Sequence, residues 1–235
     1  MYYDLIHEEL EINEKSVKFL KFMGWDGAGI IKIVENLAQQ ISQKPEKNYF
    51  NDFVIFPVVE IKTKSVGELK KILKNVREKF IVVCVHGGDY QINRAACEDS
   101  RVDILFHPEL ERRDNGLDEY CLKKARENEV VIGINFRHIL ETHRRHRVSI
   151  LKNISENIRL CHEIGVDMII SSCAKSIWEI RDPRALASFL NVLGMDLGKA
   201  IKSSSQILER IVEKNEKILS GIVPVKGVEV VDHES

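Results

Sequence analysis

The sequence lacks the features that would place it in or across a membrane. None of its apolar runs approaches the roughly 20 residues that a spanning helix needs. The first residues, "MYYDLIHEEL", lack the basic and then apolar pattern of a secretory signal. We therefore expect a cytoplasmic protein with no membrane partner.

Cysteine is scarce, and its spacing excludes two small-protein classes. The 235 residues contain five cysteines, an odd number, and none of them forms a C-x-x-C pair. This argues against a disulfide scaffold and against a zinc ribbon. We expect reduced thiols that serve as small buried residues.

Common nucleotide and nucleophile motifs are also missing. The sequence has no G-x-S-x-G, no G-x-x-x-x-G-K-[ST] and no G-x-G-x-x-G. It therefore gives no reason to expect an α/β-hydrolase, a P-loop enzyme or a dinucleotide-binding domain, and we assign no catalytic residue.

An excess of charge of either sign is absent as well. The 35 basic and 36 acidic side chains leave a formal net charge of −1, so any affinity for a polyanion has to come from local clustering. One such cluster is "FRHILETHRRHRVSILKN", residues 136–153, where four arginines face only Glu141. Imidazoles bind metals and carry protons, whereas guanidinium groups bind phosphate. The sequence does not decide the role of His138, His143 and His146.

Short apolar runs alternate with stretches of helical period along the whole chain. The predicted strands are "YYDLI", "FVIFPVVEI", "FIVVCVHG", "DILFHP", "VVIGINF" and "DMIISSC", with "WDGAGIIKI" as a further candidate. Such uninterrupted runs are typical of parallel strands covered on both faces. The alternation favours an α/β fold, a TIM-like (β/α) barrel, complete or distorted, in one domain over residues 1–222 with a short tail, 223–235. A doubly wound open sheet is the alternative.

Two stripes at spacings of three and four predict helix faces. The first stripe is Leu151, Ile154, Ile158 and Cys161, and the second is Ile30, Ile33, Leu37 and Ile41.

Polar groups follow the predicted strands and would meet at one mouth of a barrel. The strand-end residues are Asp4, Asp26, Glu60, His86, His107, Asn135, Ser171 and Ser172. Basic residues lie in the loops beyond them. Several loops would therefore present positive charge on the same side of the molecule.

A metal-dependent phosphoesterase is one interpretation of this mouth. His7, Glu60, His86 and His107 resemble the imidazole and carboxylate ligands of barrel metallohydrolases. The first strand, "YYDLIHEE", lacks the His-x-His pair that such enzymes usually supply. We therefore expect no resident metal, and we expect His86 and His107 to be buried and hydrogen-bonded.

Longer segments resemble a known family. The stretches "VHGGDYQINRAACEDSRVDILFHPELERRDNGLDE", "VVIGINFRHIL" and "IISSCAKSIWEIRDPRALASFLNVLGM" look like protein component 3 of archaeal and eukaryotic ribonuclease P. The resemblance extends from residue 1 to about residue 219. It implies a polymerase and histidinol phosphatase type of barrel without its full metal set.

The resemblance also implies a function. A member of this family is a non-catalytic subunit of the ribonucleoprotein that removes 5′ leaders from precursor tRNA. The Mg-dependent RNA subunit performs the endonuclease cleavage. The implied partners are the ribonuclease P RNA, protein component 2, other protein components and, indirectly, precursor tRNA.

We predict an RNA-binding surface made chiefly of phosphate contacts. Its residues are Arg94, Arg112, Arg113, Arg137, Arg144, Arg145, Arg147, Lys175, Arg181 and Arg184. Aromatic side chains that could stack on bases are scarce there, namely Tyr90, Phe136 and Trp178, and we expect Trp178 to be buried in the core.

Overall fold

The computed structural model describes residues 1–39 and 46–221. The strands are β1 Tyr3–His7, β2 Gly27–Val34, β3 Asn48–Phe50, β4 Phe53–Ile61, β5 Val82–His86, β6 Ile104–Phe106, β7 Val131–Asn135 and β8 Met168–Ser171. The helices are α1 Glu14–Phe22, α2 Val66–Val76, α3 Tyr90–Cys97, α4 Glu119–Asn128, α5 Phe136–Glu141, α6 Arg144–Ile164, α7 Pro183–Val192, α8 Leu197–Ser203 and α9 Gln206–Leu219. The predicted tail, 223–235, lies outside the described residues.

Seven parallel strands form a nearly closed barrel. They pair in the order β1-β2-β4-β5-β6-β7-β8, and β3 pairs antiparallel with β4. The ring closes where the amide of His7 donates to the carbonyl of Ala174 at 2.9 Å, next to an isolated bridge between Ile6 and Ala174. Strand order follows chain order without a reversal, so the barrel prediction is confirmed and the doubly wound sheet is wrong.

Seven of the eight strands are those that the apolar runs predict. The missed strand is β3, which has three residues and leaves Asn48 and Tyr49 exposed. A strand this short and polar has no hydrophobic pattern to reveal it.

One of the two predicted helix stripes is confirmed. In α6, Ile154, Ile158 and Cys161 are buried, and Leu151 packs beside them. The second stripe is wrong because Ile30 and Ile33 belong to β2, which pairs on both sides. Leu37 follows that strand, and Ile41 lies outside the described residues.

The barrel interior is apolar and is closed at one end by α9. Alternate residues of the strands, such as Leu5, Phe56 and Cys84, form one buried cluster with four side chains of α9. The four are Ile207, Leu208, Ile211 and Val212. Asn215 fixes the helix there, because its amide donates to Ile81 O at 2.8 Å and to Asp103 Oδ1 at 2.9 Å. Both acceptors precede the starts of their strands, so α9 covers the amino-terminal end of the barrel.

All five cysteines are buried and unpaired, as the sequence predicts. Burial raises the pKa of the Cys161 thiol to about 12, so this side chain is a neutral thiol at physiological pH.

No helix in the described part of the chain is both long and apolar enough to cross a bilayer.

Candidate site at the barrel mouth

The interior changes from apolar to polar at the carboxyl ends of β4 and β5. In β4, Phe56 and Val58 face the barrel interior, and Glu60 follows at the same two-residue spacing. In β5, Val82 and Cys84 face inward, and His86 follows in the same way. Side chains two apart share a face of a strand, so both polar groups point into the mouth.

His107 joins them through an unusual backbone conformation. Phe106 already faces the interior, so a regular strand would turn the next side chain outward. The φ of His107 is instead +35°, in a region that residues other than glycine rarely adopt. Its amide donates to Gly133 O at 2.9 Å, which holds the turned segment against β7.

These three residues form the mouth cluster, namely Glu60, His86 and His107. His86 Nδ1 lies 2.7 Å from Glu60 Oε1, and His107 Nε2 lies 3.3 Å from the same oxygen. The centroids of the two imidazole rings are 4.3 Å apart, and the rings meet edge to face. Glu60 and His107 are buried, whereas His86 is half-buried. The expectation of buried, hydrogen-bonded histidines is confirmed in part: both rings bond to Glu60, but His86 is only half-buried and His107 Nδ1 has no partner in the described residues.

The pKa values of two groups in the mouth cluster are shifted downward. Burial by itself would raise the pKa of Glu60, but hydrogen bonds from His107 and His86 outweigh it and hold that pKa well below its usual range. Burial lowers the pKa of His107 despite the bond to Glu60. Burial also lowers the pKa of His138 to about 4, and its ring centroid lies 5.9 Å from that of His107.

His7, the fourth ligand considered from the sequence, stands apart from the mouth cluster among the described residues. Its Nδ1 accepts from the amide of Glu9 at 3.3 Å and lies 3.6 Å from the Glu9 carboxylate. Burial and the nearby Lys175 lower the pKa of His7.

Asp4 was misplaced at a strand end, because it is the second residue of β1. Ser171 and Ser172 do lie at the carboxyl end of β8, and they bond to Asp4 across the seam between β1 and β8. Ser171 Oγ donates to Asp4 Oδ1 at 2.6 Å, and Ser172 bonds the same carboxylate through its amide at 2.9 Å and through its hydroxyl. Burial raises the pKa of Asp4 to about 6. Asp26 was also misplaced, because it precedes β2 and accepts from the amide of Tyr2 at 2.7 Å.

Six of the ten predicted RNA-binding side chains already have partners within the chain. Four form ion pairs: Arg94 with Glu98, Arg112 with Asp114, Arg137 with Glu141, and Lys175 with Glu9. Two bond to backbone carbonyls, Arg147 to Leu140 and Arg181 to Trp178 and Ile180.

The remaining four are exposed and form what we call the arginine set: Arg113, Arg144, Arg145 and Arg184. Within residues 1–39 and 46–221, none of these guanidinium groups has an ion pair or a hydrogen bond. Arg113 follows β6, Arg144 and Arg145 follow β7, and Arg184 follows β8. They thus lie in the connections after three neighbouring strands, on the side of the mouth.

The histidines of the basic segment separate into two environments. His138 lies at the mouth beside His107, whereas His143 is the exposed N-cap residue of α6 and His146 lies in its first turn. The first turn of α6 contains no acidic residue, and His143 makes no side-chain capping bond. Arginines at this positive helix end are electrostatically unfavourable unless an anion compensates them.

Trp178 contradicts its expected place in the core, because 80% of it is exposed. It lies in a short 3₁₀ turn, Ile177–Glu179, after β8. The expectation rested on the general tendency of large aromatic side chains to be buried. Tryptophan is also enriched at binding surfaces, and that tendency predicts the exposed position of Trp178 better.

The architecture and the site together define a TIM-like α/β barrel protein that gathers its polar groups at the carboxyl ends of parallel strands. The family is equally clear. Residues 1–218 match the model of the family described as RNase P subunit p30, and the chain belongs to that family.

Two relatives and one solved structure illustrate the similarity. Ribonuclease P protein component 3 of Methanococcus maripaludis strain C6 is 34% identical over 224 residues, covering 94% of each chain. The component of the same name from Methanosarcina acetivorans is 29% identical over 221 residues, covering 94% of this chain and 90% of its own. A chain in a solved structure of archaeal ribonuclease P with mature tRNA superimposes with a TM-score of 0.79 at 26% identity, covering 99% of both chains.

Proposed function

We propose that this protein contacts the ribonuclease P RNA and supports its removal of 5′ leaders from precursor tRNA. Membership of the p30 family supports the proposal, as does the similarity to a chain from an archaeal ribonuclease P solved with mature tRNA. Protein component 2 and other protein components are the proposed protein partners. The RNA and its Mg²⁺ ions perform the cleavage, so precursor tRNA is met only within the assembly.

The observation that carries RNA contact is the arginine set. Its guanidinium groups are exposed and unpaired in the described part of the chain, so they bind phosphate without first breaking an internal ion pair. A planar guanidinium matches two phosphate oxygens at once. The paired cations, such as Arg94 and Arg112, must give up a carboxylate before they bind phosphate in the same way.

The test replaces Arg113, Arg144, Arg145 and Arg184 together by Ala. The matched control replaces four exposed lysines of α1 and α2 by Ala, which changes the formal charge equally: Lys15, Lys70, Lys71 and Lys74. RNA association is measured by fluorescence anisotropy over a range of salt concentrations. We expect the arginine variant to bind more weakly, with a salt slope lower by roughly 0.7 to 0.9 for each phosphate that is no longer neutralised.

The control variant separates a local surface from a general effect of charge. If both variants lose affinity equally, net charge determines binding and the arginine set is not an RNA-contact surface. If the arginine variant keeps the wild-type slope, these side chains face solvent or a protein partner.

We further propose that this chain alone does not cleave RNA. The mouth cluster brings together three of the four ligands considered from the sequence, and the first strand lacks a His-x-His pair. Because those three do meet, a metal-dependent phosphoesterase is the second candidate function. Hydrolysis of a phosphomonoester by the isolated protein with added Zn²⁺ or Mn²⁺ would support the second candidate function. If no hydrolysis is detected, the role of an RNA-binding subunit is the candidate that remains.

A further inference from the structure

The mouth cluster contains a buried carboxyl group with no lysine or arginine side chain bonded to it in the described residues. The hydrogen-bond partners of the Glu60 side chain in the described residues are His86 and His107, and no lysine or arginine there forms an ion pair with it. Only 5% of Glu60 is exposed. Burying an ionised carboxylate without a compensating cation is costly, and imidazole N–H groups compensate it only in part.

The three donor atoms have the identity and spacing of a metal site. One carboxylate oxygen of Glu60 and one ring nitrogen each of His86 and His107 all lie within 4.8 Å of one another. Ligands at about 2.0 to 2.1 Å from a tetrahedral ion are roughly 3.3 Å apart. The distance from His107 Nε2 to Glu60 Oε1 is 3.3 Å, and the 2.7 Å distance from His86 needs only a small opening.

The backbone supports the same arrangement. The left-handed conformation of His107 is rare for a residue with a Cβ atom, and it is what turns the ring toward Glu60. Backbone strain of this kind is concentrated at functional sites.

Metal binding would change which nitrogen of each imidazole carries a proton. Where both rings donate to the Glu60 carboxylate, the protonated nitrogens are those that face it. A ligating histidine carries its proton on the other nitrogen. For His107 that nitrogen is Nδ1, which has no hydrogen-bond partner in the described residues, so the metal-bound form needs a water molecule there to accept its proton.

We propose that Glu60, His86 and His107 bind one divalent transition-metal ion, for which Zn²⁺ is the best match. Two imidazoles and one carboxylate are a zinc ligand set, whereas Mg²⁺ prefers oxygen ligands alone. Half-buried His86 marks the side from which the ion enters. The site differs from the sequence-based expectation of no resident metal, which rested on the missing ligands of the first strand.

The test uses the full chain, stripped with a chelator and then titrated with Zn²⁺ or with Co²⁺, whose visible absorption reports tetrahedral coordination. The variants are Glu60→Gln, which removes the charge, and His107→Asn, because Asn tolerates left-handed backbone. The control is His162→Gln, an exposed histidine on α6. We expect one equivalent of metal in the wild type and the control, and affinity at least about 100-fold lower in both variants.

A folding readout keeps the result interpretable. Zn²⁺ should raise the melting temperature of the wild type and the control but not of Glu60→Gln or His107→Asn. If wild-type binding is absent, or if both variants bind as tightly as the control, the proposal is wrong. RNA association of the chelator-treated protein is measured separately, so failure of this site and failure of the RNA-binding proposal are distinguishable.

Discussion

Asp4 shows how one buried carboxyl group joins β1 to β8, the first and last strands of the barrel. It accepts bonds from the amides of Leu5 and Ser172 and from both seam hydroxyls. These bonds lower its pKa, but burial has the larger effect and raises the pKa from 3.8 to about 6. The folded state therefore favours the protonated form more strongly than the unfolded state does, and ionising Asp4 costs stability.

The resulting prediction compares the wild type with Asp4→Asn, which removes the charge. The amide oxygen can accept the bonds made to Oδ1, whereas the amide nitrogen can only donate to Ser172 Oγ, which donates to Oδ2 in the wild type. A carboxyl pKa raised by folding stabilises the protein below its unfolded value, and this contribution is lost as pH rises through the folded value. Between about pH 4 and pH 6, we expect the free energy of unfolding of the wild type to fall by about 3 kcal/mol relative to that of Asp4→Asn, because each pKa unit corresponds to about 1.36 kcal/mol. Urea unfolding at pH 4 and pH 7 measures this, and parallel pH profiles would contradict it.

At the scale of elements, α9 completes the barrel core. Its apolar face covers the amino-terminal ends of the strands, and Leu208 and Val212 are almost fully buried there. A helix that fills the end of a barrel contributes to one common core rather than to the outer layer of helices.

Shortening one side chain of α9 tests this role. We expect Leu208→Ala to lower the free energy of unfolding by about 2 to 5 kcal/mol, because it leaves a cavity in the interior. The matched change Glu213→Ala, at an exposed position of the same helix, should alter it by less than about 0.5 kcal/mol. Chemical denaturation measures both, and equal effects of the two changes would mean that α9 does not close the core.

The elements also show what the sequence reveals and what it conceals. Apolar runs such as "FVIFPVVEI" predict the parallel strands, because burial on both faces removes polar residues from them. The same pattern does not separate a buried strand from a helix face, and Ile30 and Ile33 were assigned to a helix for that reason. Glu60 and His86 could be placed at the mouth by strand alternation. The inward turn of His107 depends on one backbone angle that no spacing encodes.

At the scale of the whole molecule, the uneven distribution of charge matters more than its total. The formal net charge is −1, yet the arginine set lies on the side of the carboxyl ends of the strands. Cationic side chains can replace part of the screening that divalent ions provide to a folded RNA.

We therefore expect the ribonuclease P RNA with component 2 to cleave precursor tRNA at lower Mg²⁺ concentration when this protein is added. The measurement is the initial cleavage rate across a Mg²⁺ titration, with and without the chain. The variant lacking the arginine set should give a midpoint between the two. An identical Mg²⁺ requirement with and without the wild-type chain would remove the main support for its assistance to the RNA.

The seam between β1 and β8 has a consequence for how the protein is made. Its bonds join Asp4 and Leu5 to Ser171 and Ser172 across 166 to 168 positions of the chain. The hydrogen bond from Asn215 to Ile81 O spans 134 positions. During synthesis, β1 therefore cannot pair with β8 until more than two thirds of the chain has left the ribosome. Its apolar surface stays exposed until then. A nascent chain that stops before α9 should be a substrate for chaperones, whereas one that includes α9 should resist proteases.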